Sequence, residues 1–113
     1  MIITLDCDGT VFMGNPPGPV SKGLILSWLG KGYRVFMISD SGNCASIVGL
    51  GVVRIPAQSQ CRHAVVSALQ VLYPTEVVVY IDDNPANESV CRGSIDPGRC
   101  RFVLASQVVA LAL

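Results

Sequence analysis

Charge is scarce in this chain: only 14% of its residues are Asp, Glu, Lys or Arg, and they cancel to a formal net charge of zero. Without a basic excess there is no general electrostatic grip on nucleic acid or on an anionic membrane surface. The local group Arg92, Arg99 and Arg101 reads as a solvated patch rather than a phosphate clamp. The five cysteines, Cys7, Cys44, Cys61, Cys91 and Cys100, include no Cys-x-x-Cys pair. Their odd number and spacing suggest neither a zinc site nor a disulfide framework, so reduced, mostly buried thiols are expected. No apolar run approaches membrane-spanning length, and no basic segment precedes the first one. A soluble, cytoplasmic protein without membrane contact is the expectation. No linker, repeat or low-complexity tract divides the chain, and 113 residues suffice for one core, so a single domain over 1–113 is expected.

Hydrophobic residues, by contrast, make up half the chain, and they recur in short runs. Ile2 to Leu5 reads as a strand, followed by the loop Gly14-Asn15-Pro16-Pro17-Gly18. A helix opening near Pro19 carries Val20, Leu24 and Trp28 on one face. Strands follow at Tyr33–Ile38 and Val52–Ile55, with a short helical piece around Ala45 to Val48 between them. Cys61, Ala64, Val65, Ala68, Leu69 and Leu72 have the spacing of a buried helical stripe, which leaves His63 exposed. Val77–Ile81 is the most β-branched run. Asn84 and Pro85 open another helix, which Gly93 ends. Arg101 to Ala105 reads as a fifth strand, and Ser106 as the cap of a terminal helix, Gln107 to Leu113. Strands alternating with helices indicate an α/β protein: a three-layer α/β/α sandwich around a five-stranded, mainly parallel, Rossmann-like sheet.

The few acids are placed tellingly. Of the eight Asp and Glu residues, four are Asp6, Asp8, Asp82 and Asp83, and each pair follows an apolar run. Two carboxylates about 4 Å apart repel by about 4 kcal/mol at an effective dielectric near 20. Holding them together therefore takes a cation, a proton or a turn that splays them. An Asp-Gly hairpin turn at Asp8-Gly9 is the plain alternative. In a parallel sheet, however, the strand C-termini share one edge, where ligands bind. Asp6, Ser39 and Asp82 all end strands. A hard, all-oxygen carboxylate set suits Mg²⁺, and phosphoryl transfer is the chemistry that fits. A free carboxylate attacks phosphorus, a second acid handles the leaving-group proton, and the Ser39 hydroxyl holds phosphate oxygens.

Asp6-Cys7-Asp8-Gly9-Thr10 resembles the Asp-x-Asp-x-Thr motif that opens the haloacid dehalogenase (HAD) superfamily. Ser39 after Val-Phe-Met-Ile is similar to its second motif, and Asp82-Asp83 after Val-Val-Tyr-Ile to its fourth. The resemblance implies a HAD-like hydrolase of the phosphatase type, with Asp6 as nucleophile and Asp8 as general acid/base. Asp6, Asp8 (through its backbone carbonyl), Asp82 and Asp83 would hold Mg²⁺, and Thr10, Ser39 and Asp40 would contact the substrate. The family's lysine before the fourth motif has no counterpart, since Lys22 and Lys31 lie too early. Arg62 or Arg54 are the candidate substitutes, although Gln58 and Gln60 occupy nearer positions. The stretches from Thr10 to Ser39 and from Ser39 to Asp82 leave no room for a cap domain. Capless relatives in the family act on large phosphorylated substrates, such as nucleic-acid ends or phosphoproteins, or form oligomers whose copies cap one another. Met13 to Pro19 is then the natural place for substrate contacts, and the apolar tail from Val108 is core or a subunit interface. A catalytically impaired module that binds a phosphate or a protein partner is the competing reading. A receiver-type phosphoacceptor fits the opening Asp-x-Asp pair poorly.

Overall fold

The computed structural model describes residues 1–113. Five parallel strands form one sheet in the order β3-β2-β1-β4-β5, with β1 at Ile2–Leu5, β2 at Arg34–Ile38, β3 at Val53–Ile55, β4 at Val78–Asp82 and β5 at Cys100–Leu104. Parallel neighbours require crossovers, and helices supply three of them: α1 (Lys22–Gly30), α2 (Arg62–Leu72) and the short α3 (Ser89–Arg92). Residues 42–50, between β2 and β3, form 3-10 turns rather than a regular helix. No helix is long and apolar enough to cross a membrane.

β1 and β4 are buried along their whole length, which accounts for their nearly continuous apolar sequence. Successive side chains leave opposite faces of the sheet. Ile3, Leu5, Val79 and Ile81 join a core with Ile25 and Trp28 of α1. Ile2, Val78 and Tyr80 join a second with Val66 and Leu69 of α2 and Val90 of α3. Each such side chain contributes about 1.5–3 kcal/mol on burial. α1 begins at Lys22 rather than near Pro19 because the Ser21 hydroxyl caps it, accepting from the Leu24 N–H at 3.1 Å. Val20 instead pairs with Val11 in an isolated bridge.

Three expectations are corrected. The cysteines are not all reduced: Cys7 pairs with Cys44 and Cys91 with Cys100, leaving only Cys61 free, and it is exposed. Spacing along the chain gave no sign of this, because the crossovers bring together partners that are 37 residues apart in the first pair. The cysteine argument for a reducing compartment falls with it. The terminal helix is also absent: after 3-10 residues 105–107 the chain runs in turns, with Val108 and Leu113 buried and Val109 exposed. A seven-residue tail is too short to repay helix nucleation by itself.

The third correction concerns α2. Its buried residues are Arg62, Val66, Leu69 and Gln70, so of the expected stripe only Leu69 is buried. Two polar side chains turn the helix. Gln70 exchanges hydrogen bonds with the Asp96 backbone, donating to its oxygen at 2.7 Å and accepting from its N–H at 3.1 Å. Arg62 is drawn to the acids at the sheet edge. Most of the expected stripe, Cys61, Ala64, Val65, Ala68 and Leu72, instead lines an open groove of about 540 Å³ with Ile55, Pro56 and Ala57.

Candidate metal and phosphate site

Leu5 of β1 stands opposite Ile81 of β4, and the Asp6 N–H still donates to the Ile81 carbonyl at 3.0 Å. One residue further along, Asp6 and Asp82 therefore leave adjacent strands side by side. The carboxylate oxygens of Asp6, Asp82 and Asp83 lie within 4.8 Å of one another. Asp6 and Asp82 are buried, whereas Asp83 is exposed. Gly9 makes the closeness possible: its φ of +77° disfavours other residues, and a Cβ there would collide with the Asp83 carboxylate. Gly18 closes the following loop, since a Cβ at that position would run into the Thr10 backbone.

One cation is built into the cluster. Arg62 is buried, and its Nη1 lies 3.1 Å from Asp6 Oδ1 and 3.2 Å from Asp82 Oδ2. Arg54 is placed elsewhere, donating from Nη2 to the Ser41 carbonyl at 3.3 Å. Gln58 and Gln60 are exposed and bond to each other. Of the two candidates for the missing lysine, the structure thus puts only Arg62 against Asp6. Asp82 is the most heavily bonded acid. Its Oδ2 accepts from Tyr80 Oη (2.5 Å), Asn87 Nδ2 (2.8 Å) and Arg62 Nη1 (3.2 Å), and its Oδ1 accepts from the Asn84 N–H (3.0 Å).

Electrostatics separate the acids. Burial, then the neighbouring Asp82 charge, pushes the Asp6 carboxyl up to about 6 despite the opposing pull of Arg62. Asp83 is also raised, by partial desolvation of its carboxyl and by its hydrogen bond and charge contact with Asp82. Asp8 moves the other way. Its Oδ1 accepts from the Asn15 N–H at 2.8 Å and Asn43 Nδ2 at 2.9 Å, and these bonds hold its carboxyl below the usual range. Asp8 is therefore not in the three-acid group; it faces the loop that closes over the strand ends, where Cys7–Cys44 ties its neighbour to that of Asn43.

The remaining expected residues are placed as follows. Ser39 is buried at the end of β2, its Oγ accepting from the Ser41 N–H at 3.1 Å. Asp40 is exposed and takes no part in the bonds that join the cluster. Thr10 is buried with no partner for its hydroxyl, and braces the loop through its backbone, accepting from the Val20 N–H at 2.9 Å. Arg99 is committed to structure, bonding Asp96 and the carbonyls of Gln70, Tyr73 and Glu76. Sequence reasoning missed Tyr80, Asn87, Asn15 and Asn43. Tyr80 was within reach of it, since two residues before Asp82 on a strand means the same face.

The donor set fits a hard divalent cation: three carboxylates converge, with no nitrogen or sulfur ligand among them. One oxygen of Asp82 retains capacity, because it accepts a single hydrogen bond. Together the sheet and its edge define an α/β protein with an acid-rich, arginine-bearing cluster at the strand C-termini. No protein-family model, curated protein or solved structure matches the chain.

Proposed function

We propose that this chain is a Mg²⁺-dependent phosphomonoester hydrolase of the HAD-like type, built as a capless three-layer α/β/α domain. The observation that carries the reading is the meeting of Asp6, Asp82 and Asp83 within 4.8 Å, with the Arg62 guanidinium 3.1 Å from Asp6. Independent turns at separate strand ends do not call for such a convergence. Asp6, Asp82 and Asp83, with the Asp8 carbonyl, would hold a divalent cation, which would supply the charge that lets a phosphate dianion approach these acids.

Asp6 is the nucleophile. Its carboxylate oxygen bonds to phosphorus as the bond to the leaving oxygen breaks, giving an aspartyl-phosphate, and Asp8 gives that oxygen its proton. Water then attacks phosphorus, the bond to Asp6 breaks, phosphate departs and the water proton returns to Asp8. Arg62 offsets the charge that builds on the phosphoryl oxygens, while Ser39, Thr10 and Asp40 border the substrate. The lowered pKa of Asp8 keeps its carboxyl ionised and free to take a proton in the second half, at the cost of weaker basicity. For the first half, the approach of a phosphate dianion raises it by like-charge repulsion. An uncapped site suits a phosphate on a large, accessible substrate, such as a nucleic-acid end or a phosphoprotein. Capping of one copy by another is the oligomeric alternative.

The depressed Asp8 carboxyl favours one second reading, a catalytically impaired module that binds a phosphate ligand or a protein partner. Hydrolysis of p-nitrophenyl phosphate decides between the two. Turnover that needs Mg²⁺, stops with EDTA and is absent in Asp6→Asn supports the enzyme. Mg²⁺ binding without turnover on any of a broad phosphoester panel, 3′- and 5′-phosphorylated oligonucleotides included, supports the module.

A further inference from the structure

We infer that Tyr80 is a positioning residue: its hydroxyl joins Arg62 to Asp82 and so holds the guanidinium against Asp6. The purpose of the held cation rests on the phosphatase reading above; the holding itself rests on hydrogen-bond geometry. Tyr80 is fully buried on β4, two residues before Asp82 and therefore on the same face of the strand. Its oxygen lies 3.0 Å from Arg62 Nη1 and 2.5 Å from Asp82 Oδ2. The direction of both bonds is forced. A guanidinium can only donate and an ionised carboxylate can only accept, so the hydroxyl accepts from Arg62 and donates to Asp82.

Arg62 needs such a tether. Arginine ordinarily fixes its orientation by meeting a carboxylate with two nitrogens at once. Here Nη1 alone serves Asp6, Asp82 and Tyr80, while Nε is buried without a partner. A planar group held through one nitrogen depends on every contact at that nitrogen, and the Tyr80 oxygen supplies the third. Asp82 depends on Tyr80 less, because Asn87 and the Asn84 N–H also hold it. Removing the hydroxyl should therefore loosen Arg62 more than Asp82. The ring packs within the second core, with Phe102 at 6.2 Å between centroids, so phenylalanine leaves the apolar contacts in place.

The test combines kinetics with a measurement that needs no turnover. With p-nitrophenyl phosphate and Mg²⁺, Tyr80→Phe is expected to lower kcat by about ten- to a hundredfold, the scale of a misplaced catalytic group. KM should move by less than about threefold, since the contact matters in the transition state. In an Arg62→Ala background the same substitution should change kcat by no more than about twofold. An equal loss in both backgrounds overturns the inference. Independently, ¹⁵N relaxation of the Arg62 Nε–H in the wild-type protein should give an order parameter near that of rigid backbone, about 0.85, falling below about 0.6 in Tyr80→Phe. A mobile Arg62 in the wild type, or one equally ordered in the variant, overturns it too. If the wild type hydrolyses nothing, the phosphatase reading fails and the relaxation data still decide whether Tyr80 holds Arg62. If Tyr80→Phe does not fold, the wild-type order parameter decides.

Discussion

Asp6→Asn should make the metal-free protein more stable. The Asp6 carboxyl sits in an environment that raises it from the usual 3.8 to about 6, with burial the largest cause. A carboxyl whose folded pKa is raised binds its proton more tightly in the folded state than in the unfolded chain. The folded state therefore loses stability as pH climbs from about 4 through 6, and the full cost stands above that window. At about 1.36 kcal/mol per pH unit of separation, the cost is about 3 kcal/mol at pH 7, and linkage gives about 1.6 at pH 5 and about 0.6 at pH 4. Asparagine removes the charge and keeps the shape, while Asp82 remains as the counter-ion of Arg62. Part of the gain goes to burying the amide, so a stabilisation of about 1–3 kcal/mol is expected at pH 7, shrinking to well under about 1 kcal/mol at pH 4. Urea denaturation in EDTA, followed by the fluorescence of the buried Trp28, reads it directly. Saturating Mg²⁺ should reverse the order, adding about 2.7 kcal/mol to the wild type at a hundredfold excess over Kd and little to the variant. A variant no more stable than wild type at pH 7, or a gain that does not change with pH, would refute the reasoning.

Further outcomes concern the disulfides and Asp8. Breaking Cys7–Cys44, which closes a loop 37 residues long, should cost about 2–4 kcal/mol in urea denaturation, and breaking Cys91–Cys100, 9 residues apart, should cost less; in the native protein a thiol reagent should add one label, on Cys61. Asn43→Ala removes one of the bonds that favour the Asp8 carboxylate, so the Asp8 midpoint in a carboxyl ¹³C titration should move up towards the usual carboxylate value.

The strands were legible because burial on both faces leaves little but apolar residues, as in Ile2–Leu5 and Val78–Asp82, and because the polar residues ending them stand out. The α/β class and the pairing of Asp6 with Asp82 follow from that pattern and the parallel register. What stayed hidden depends on contacts between distant segments. α2 turns its apolar stripe outward because Arg62 and Gln70 find partners on other elements, something periodicity along the helix does not register. The disulfides were missed for the same reason. Asp8 is spaced from Asp6 as if to share its site, yet the loop carrying Asn15 holds it apart with the opposite shift in acidity. Arg62 was one of two arginines considered for the missing lysine, and only the packing of α2 against the strand ends chose between them.

A crystal structure of the protein soaked in Mn²⁺, with the ion located by its anomalous signal, tests the central claim most directly. One peak is expected among Asp6, Asp82 and Asp83, within about 2.0–2.4 Å of their carboxylate oxygens and absent in Asp6→Asn. No peak at those acids, or one that persists unchanged in Asp6→Asn, would contradict it.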